Sequence, residues 1–163
     1  MSYEFLLLLH IVGATILLGT GAGIAFFMVI SNRSGDPALV AHVAGIVVLA
    51  DTVFTATAAL FQPITGFFLA RIIGWPLLEG WVALSLALYV FVGLFWLPVV
   101  WMQIRMRDLA RAARDAGRSL PETYHQLYRW WFTFGFPAFA AVMAIVWLMT
   151  VSYTHLRAHE TPE

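Results

Sequence analysis

The sequence contains no cysteine and no lysine, and it is poor in charged residues of either sign. Without cysteine, disulfides and thiolate metal sites are excluded. Only 11% of the residues are charged, against about 25% in soluble proteins, whereas 61% are hydrophobic and the mean hydropathy is +0.83. Such a chain needs an apolar solvent, so the composition predicts an integral membrane protein that contacts the lipid bilayer. No feature of the sequence indicates a nucleic-acid partner.

Four apolar runs are each long enough to cross a hydrocarbon core of about 30 Å, which takes roughly 20 helical residues. They predict helices over about 4–31, 37–73, 77–116 and 121–151. Short connections between the runs favour neighbouring helices that run in opposite directions. The predicted fold is therefore all-α, an integral membrane antiparallel four-helix bundle. One domain covers residues 1–151, and a non-native-looking or disordered tail covers 152–163.

The basic residues are distributed unevenly along the chain. All nine are arginine, and six of them lie between the third and fourth runs, namely Arg105, Arg107, Arg111, Arg114, Arg118 and Arg129. By the positive-inside rule, loops rich in arginine stay in the cytoplasm. We therefore expect a multi-pass protein of the bacterial inner (cytoplasmic) membrane, with loop 105–129 in the cytoplasm and both termini outside.

His10 lies inside the first apolar run, where an imidazole is costly without a hydrogen bond or a metal. Haem iron accepts His/His or His/Met axial pairs, and Met143 and Met149 of the fourth helix lie at a similar depth to His10. Gly13 and Gly21 share a helix face with His10 and would leave a flat surface for a planar macrocycle. Close helix packing through small residues explains the same glycines. His10 is accordingly the candidate metal ligand of this sequence.

Two alternatives to haem remain open for His10. The first is a hydrogen bond to another side chain at the same depth, for which the candidates are Gln62, Thr65 and Tyr89. The second is copper, because an imidazole and two thioethers suit that metal. The sequence therefore leaves three classes of protein: a haem protein, a copper or small-solute transport protein, and a structural membrane subunit without a site or cofactor.

A second polar cluster is expected near the cytoplasmic boundary. Its members are Asp51, Gln103, Arg105, His125 and Arg129, with His42 as a further candidate on the side of the membrane opposite to His10. Asp51 faces the bundle interior, where a salt bridge to Arg105 is slightly preferred over a proton-transfer role. Arginine suits carboxylates and phosphates, so the cluster could hold haem propionates or a quinone headgroup. Ordinary interfacial anchoring explains the same residues.

Several motifs carry a family resemblance. They are Leu9-His10-Ile-Val-Gly-Ala, Gly19-Thr-Gly, Ala41-His42-Val, Leu49-Ala-Asp51, Gln62-Pro63-Ile-Thr-Gly66, Trp96-Leu-Pro98-Val-Val-Trp101-Met-Gln-Ile-Arg105 and Tyr124-His125. Over residues 3 to 150 the chain resembles the uncharacterised bacterial integral membrane family called domain of unknown function 2269. That family is similar, more distantly, to copper-resistance D membrane proteins and to HemJ-type protoporphyrinogen oxidases.

In the HemJ type, an early Leu-His histidine serves haem b. The resemblance therefore implies that His10 is an axial ligand, and that the protein is a b-type haem-binding electron-transfer or oxidase module. A quinone or a redox protein would be its partner, and a homodimer is a further expectation. The HemJ type also relies on a lysine in a later helix, which this chain lacks, so protoporphyrinogen oxidation itself is not implied.

Overall fold

The computed structural model describes residues 2–158, and their side chains up to Val151. All secondary-structure elements of the described residues are helices. They are α1 (Tyr3–Ser34), α2 (Pro37–Ala50), a π-helical turn (Asp51–Thr55), α3 (Ala56–Ile73), α4 (Gly80–Asp115) and α5 (Glu122–Ala158). Helix α2, the π turn and α3 follow one another without a break as one span. Four spans are long and apolar enough to cross a membrane, which confirms the predicted all-helical membrane fold.

The ends of the helices follow local chemistry. Asp36 caps α2, because its Oδ1 accepts a hydrogen bond of 2.8 Å from the Ala38 amide, and Pro37 occupies the first turn. Gly35 ends α1 with a φ of 66°, a left-handed conformation that favours glycine. Most helix ends lie within three residues of their predicted positions. Helix α5 continues to Ala158, seven residues beyond its predicted end. The predicted tail, 152–163, lies outside the described side chains, and residues 159–163 lie outside the described residues.

The four spans pack as two pairs. Helix α1 packs along α2, the π turn and α3, while α5 packs along α4. The pairs join mainly where α2 packs against α4. The buried apolar cluster lies at this junction and consists of Ile24, Met28, Val40, Ala41, Ala44, Val47, Met102, Met106, Ala110, Ala113, Leu120, Tyr124 and Trp131. The core therefore lies at the end of the bundle that carries the arginine-rich connection, which we call the arginine-rich end.

Toward the other end of the bundle, large apolar side chains face outward. Leu60, Leu94 and Trp147 are each more than 60% exposed. In a lipid bilayer such exposure carries no hydrophobic cost, because acyl chains are as apolar as the side chains. The composition and the exposure pattern therefore agree that most of this surface contacts lipid.

Candidate functional site

The His10 ring lies against α3, where its partner is a threonine. His10 Nδ1 is 2.8 Å from Thr65 Oγ1. The Thr65 hydroxyl donates its only hydrogen to the carbonyls of Phe61 and Gln62, at 3.0 and 3.1 Å. Because the hydroxyl has one hydrogen, donation to either carbonyl leaves its oxygen as an acceptor for an N–H at His10 Nδ1. In that tautomer of the neutral ring, the lone pair lies on Nε2.

Two glycines allow the close approach of these polar side chains. A Cβ added at Gly66 would lie 3.2 Å from His10 Cε1, and one added at Gly13 would lie 2.5 Å from Gln62 Oε1. The imidazole therefore lies over the bare backbone of α3, and the Gln62 amide lies over the bare backbone of α1. Residues of the Leu9–Gly13 and Gln62–Gly66 motifs thus form one site across the interface between α1 and α3.

The structure does not bring the other predicted haem-site residues to His10. Met143 and Met149 lie on α5, which packs along α4 rather than α1. Gly21 is exposed, and a Cβ added there would have no neighbour within 4 Å. Gln62 covers the helix face at Gly13, so the predicted flat glycine surface is occupied there. Of the predicted hydrogen-bond partners, Thr65 binds His10 directly.

Tyr89, another predicted partner of His10, has a different role. Its hydroxyl donates a short hydrogen bond to the backbone carbonyl of Ala59. Because Tyr89 belongs to α4 and Ala59 to α3, this bond connects the two helix pairs. Tyr89 therefore stabilises the contact between α3 and α4. The hydrogen-bond partner of His10 is Thr65, which belongs to α3.

A second polar site surrounds Asp51, which is 3% exposed. Its Oδ1 accepts a hydrogen bond from Trp96 Nε1 at 3.2 Å. With the Gln103 amide oriented to satisfy its neighbours, Nε2 donates to Asp51 Oδ2 at 3.1 Å and Oε1 accepts from Trp131 Nε1 at 3.2 Å. The Thr55 hydroxyl also lies beside the carboxylate. One chain of hydrogen bonds therefore joins the π turn to α4 and α5.

Asp51 also occupies the first position of the π-helical turn, Asp51–Thr55. Single π turns within α-helices are rare and are frequently found at functional sites. A buried acid inside a membrane-spanning helix is likewise a functional candidate by default. These two features make Asp51 a second candidate site beside His10.

The predicted salt bridge between Asp51 and Arg105 does not form. Arg105 is exposed, and the ion pairs among the described residues join Arg107 to Asp108, Arg114 to Asp115 and Arg129 to Glu122. The reason is the helical period: Gln103 faces Asp51, and two further residues along α4 turn the side chain by about 200° to the outer face. Asp51 is therefore held by neutral donors rather than by a cation.

The predicted cluster near the boundary divides into two groups. Asp51 and Gln103 meet in the interior, whereas Arg105, His125 and Arg129 are exposed. His42 is exposed too, and it lines a cavity with arginines of α4. The predicted cluster therefore does not form. Its members lie at a similar depth but point in different directions around their helices, so that only Asp51 and Gln103 face the interior.

Sequence reasoning missed both tryptophans of the Asp51 site. Trp96 and Gln103 are seven residues apart, which places them on one face of α4, and that spacing was an available signal. Trp131 stands beside Trp130 in a pair typical of the membrane boundary. The structure instead buries Trp131, at 5% exposure, and leaves Trp130 61% exposed.

Comparison with known proteins adds the family. The profile of the family described as "predicted integral membrane protein (DUF2269)" matches residues 4–152, a range that includes both candidate sites. No curated protein and no solved structure matches the chain. The similarity to HemJ-type and copper-resistance D proteins stays an expectation. Because the match covers nearly the whole chain, this protein belongs to the integral membrane family DUF2269.

Proposed function

We propose that this membrane protein is a redox module that binds b-type haem, with His10 Nε2 as a protein ligand to the iron. The observation that supports the proposal is the 2.8 Å contact between His10 Nδ1 and Thr65 Oγ1. With Nδ1 as the donor, the lone pair lies on Nε2, where it can bind a metal. Metal-ligating histidines are commonly held in this way, with the other ring N–H donated to a neighbouring oxygen.

The donor set favours haem over a bare metal ion. Among the described residues, no three histidine, aspartate or glutamate side chains converge, whereas zinc ions in proteins usually take three or four protein ligands. A porphyrin brings four nitrogens, so haem iron needs only one or two ligands from the protein. The copper alternative, with His10, Met143 and Met149, would require α5 to reach α1.

Three residues of this chain would hold the haem. His10 would supply the ligand, Thr65 would orient the ring, and Gly66 would let the ring lie close to α3. Bound haem supplies one-electron chemistry. The expected homodimer is part of the same proposal. The module would exchange electrons with a quinone or a redox protein. We further propose that it lies in a bacterial inner membrane with its arginine-rich end in the cytoplasm.

Absorbance of the purified protein tests the haem proposal. We expect a Soret band in protein that is produced with ample haem precursor and purified in detergent. His10→Ala should lose the band, because no other described ligand replaces the imidazole. Thr65→Val should weaken haem affinity by about 10- to 100-fold, the usual effect of losing a partner that orients a ligand.

His42→Ala is the matched control, since it removes an exposed histidine at the other end of the bundle, and it should keep the full band. Size-exclusion chromatography verifies that each variant is folded. A Soret band that survives His10→Ala unchanged would contradict the assignment. A colourless protein that retains copper would favour the transport alternative, and one that retains neither would favour a structural subunit.

A second function, proton exchange, is favoured by Asp51. Trp96 and Gln103 donate to the carboxylate, which stabilises its charged form, yet no cation neutralises it among the described residues. A membrane acid in this environment can take up and release a proton as the conditions around it change. In a redox module, such an acid would couple electron transfer to proton movement.

Infrared difference spectroscopy tests the proton-exchange function. Across a pH titration in detergent, we expect a carboxylic-acid C=O band in the wild-type protein that is absent in Asp51→Asn. Glu4→Gln is the control, because Glu4 is an exposed acid in the first turn of α1, and it should retain the band. An identical spectrum in Asp51→Asn would show that Asp51 does not exchange protons.

A further inference from the structure

A cavity of about 280 Å³ lies between α2 and α4 at the arginine-rich end. We propose that it binds the phosphate of an anionic phospholipid, with the lipid's acyl chain along the apolar wall of the cavity. The site is separate from both His10 and Asp51. It involves one helix from each of the two pairs.

Two arginines bring positive charge to this cavity. Arg111 and Arg114 of α4 line it, and His42 of α2 adds an imidazole. Arg111 is not among the ion pairs of the described residues, and Arg114 engages Asp115 through Nε, which leaves its terminal nitrogens as donors. Guanidinium groups bind phosphate through paired hydrogen bonds. The cavity therefore suits a phosphate group.

A glycine brings the guanidinium close to α2. Nη2 of Arg111 would be only 3.4 Å from a Cβ added at Gly45. The arginine therefore reaches across the helix interface over bare backbone, and a larger residue at position 45 would fill the space beside it. Gly45 also lines the cavity, so a large side chain at this position would occupy part of it.

Farther along α2, away from the arginine-rich end, the lining is apolar. Ile46 and Leu49 follow His42 at one and two helical turns along α2, and they are 53% and 63% exposed. Both also line the cavity. A cavity with cationic groups at one end and exposed aliphatic side chains below them fits a phospholipid, whereas a free anion would need only the cationic end.

The depth of the cavity agrees with this ligand. Helices α1 and α2 pack together and are joined by the two residues 35 and 36. Phe27 is seven residues before the end of α1 and Ala44 is seven residues after the start of α2, so the two lie level. Phe26 and Phe27 are 61% and 57% exposed, which is appropriate for contact with acyl chains. Lipid therefore reaches the level of Gly45, and basic groups at this level meet the headgroups.

Thermal unfolding in detergent tests the proposal. Phosphatidylglycerol should raise the melting temperature of the wild-type protein, because a ligand that binds only the folded state stabilises it. Phosphatidylcholine and inorganic phosphate at the same concentrations should not. The double variant Arg111→Gln/Arg114→Gln should lose the rise, and native mass spectrometry should show that it also loses bound phosphatidylglycerol.

Two further variants distinguish lipid binding in this cavity from non-specific attraction between arginines and anionic lipids. Arg118→Gln removes an exposed arginine of the same connection outside the cavity and should keep the rise. Gly45→Leu should lose the rise without any change in charge, and its melting temperature without lipid verifies folding. An equal effect of Arg118→Gln, an unchanged rise in the double variant or in Gly45→Leu, or a rise with inorganic phosphate that matches phosphatidylglycerol would each overturn the proposal.

Discussion

Met106→Ala is expected to lower the free energy of unfolding by about 2–5 kcal/mol, the usual cost of emptying a fully buried apolar site. Met106 is 0% exposed within the apolar cluster at the arginine-rich end. Because its side chain is enclosed by other helices, its truncation leaves a cavity that neither lipid nor water fills readily. Chemical or thermal unfolding in detergent micelles measures the change.

Leu97→Ala on the same helix is the control for that loss. Leu97 is 62% exposed and faces lipid, so its truncation creates no cavity and should change stability by less than about 0.5 kcal/mol. Equal losses in the two variants would contradict a core located at the arginine-rich end.

Asp51→Leu is expected to cost about 2–5 kcal/mol of stability. The leucine would leave the Trp96 N–H and the Gln103 amide without their acceptor, and each unpaired buried polar group costs about 1–3 kcal/mol. The same unfolding measurement in detergent detects the loss.

Asp51→Asn is the comparison for this substitution. It keeps one acceptor oxygen and the shape of the side chain, so it should cost clearly less than the leucine. If Asp51→Leu were as stable as the wild-type protein, the hydrogen bonds from Trp96 and Gln103 would not stabilise the contact between the two helix pairs.

Much of the architecture could be predicted from the order of residues. Each span is a local property, because about 20 apolar residues in succession suffice to favour the bilayer wherever they stand. Asp36 and Pro37 likewise mark the start of α2 by contacts with their immediate neighbours. The same reasoning identified His10 as a residue that needs a partner, and Thr65 was among the side chains named for it.

The partners of the polar residues could be predicted only in part. Arg105 is the only charged side chain proposed for Asp51, yet it faces away from the interior, and Trp96, Gln103 and Trp131 form the actual chain of hydrogen bonds. The π turn at Asp51–Thr55 carries no sequence signal that distinguishes it from the α-helix around it. Met143 and Met149 matched His10 in depth, but depth does not determine which helices are neighbours.

The sequence by itself determined that this protein has four segments long and apolar enough to cross a membrane, that arginines gather at one end, and that His10 and Asp51 are polar groups in apolar spans. Only the tertiary structure decided that His10 pairs with Thr65, that Trp96 and Gln103 bind Asp51, and that Arg111 reaches over Gly45. Hydrophobicity acts on each segment separately, whereas these contacts depend on the rotation and the neighbours of whole helices, which no single segment encodes.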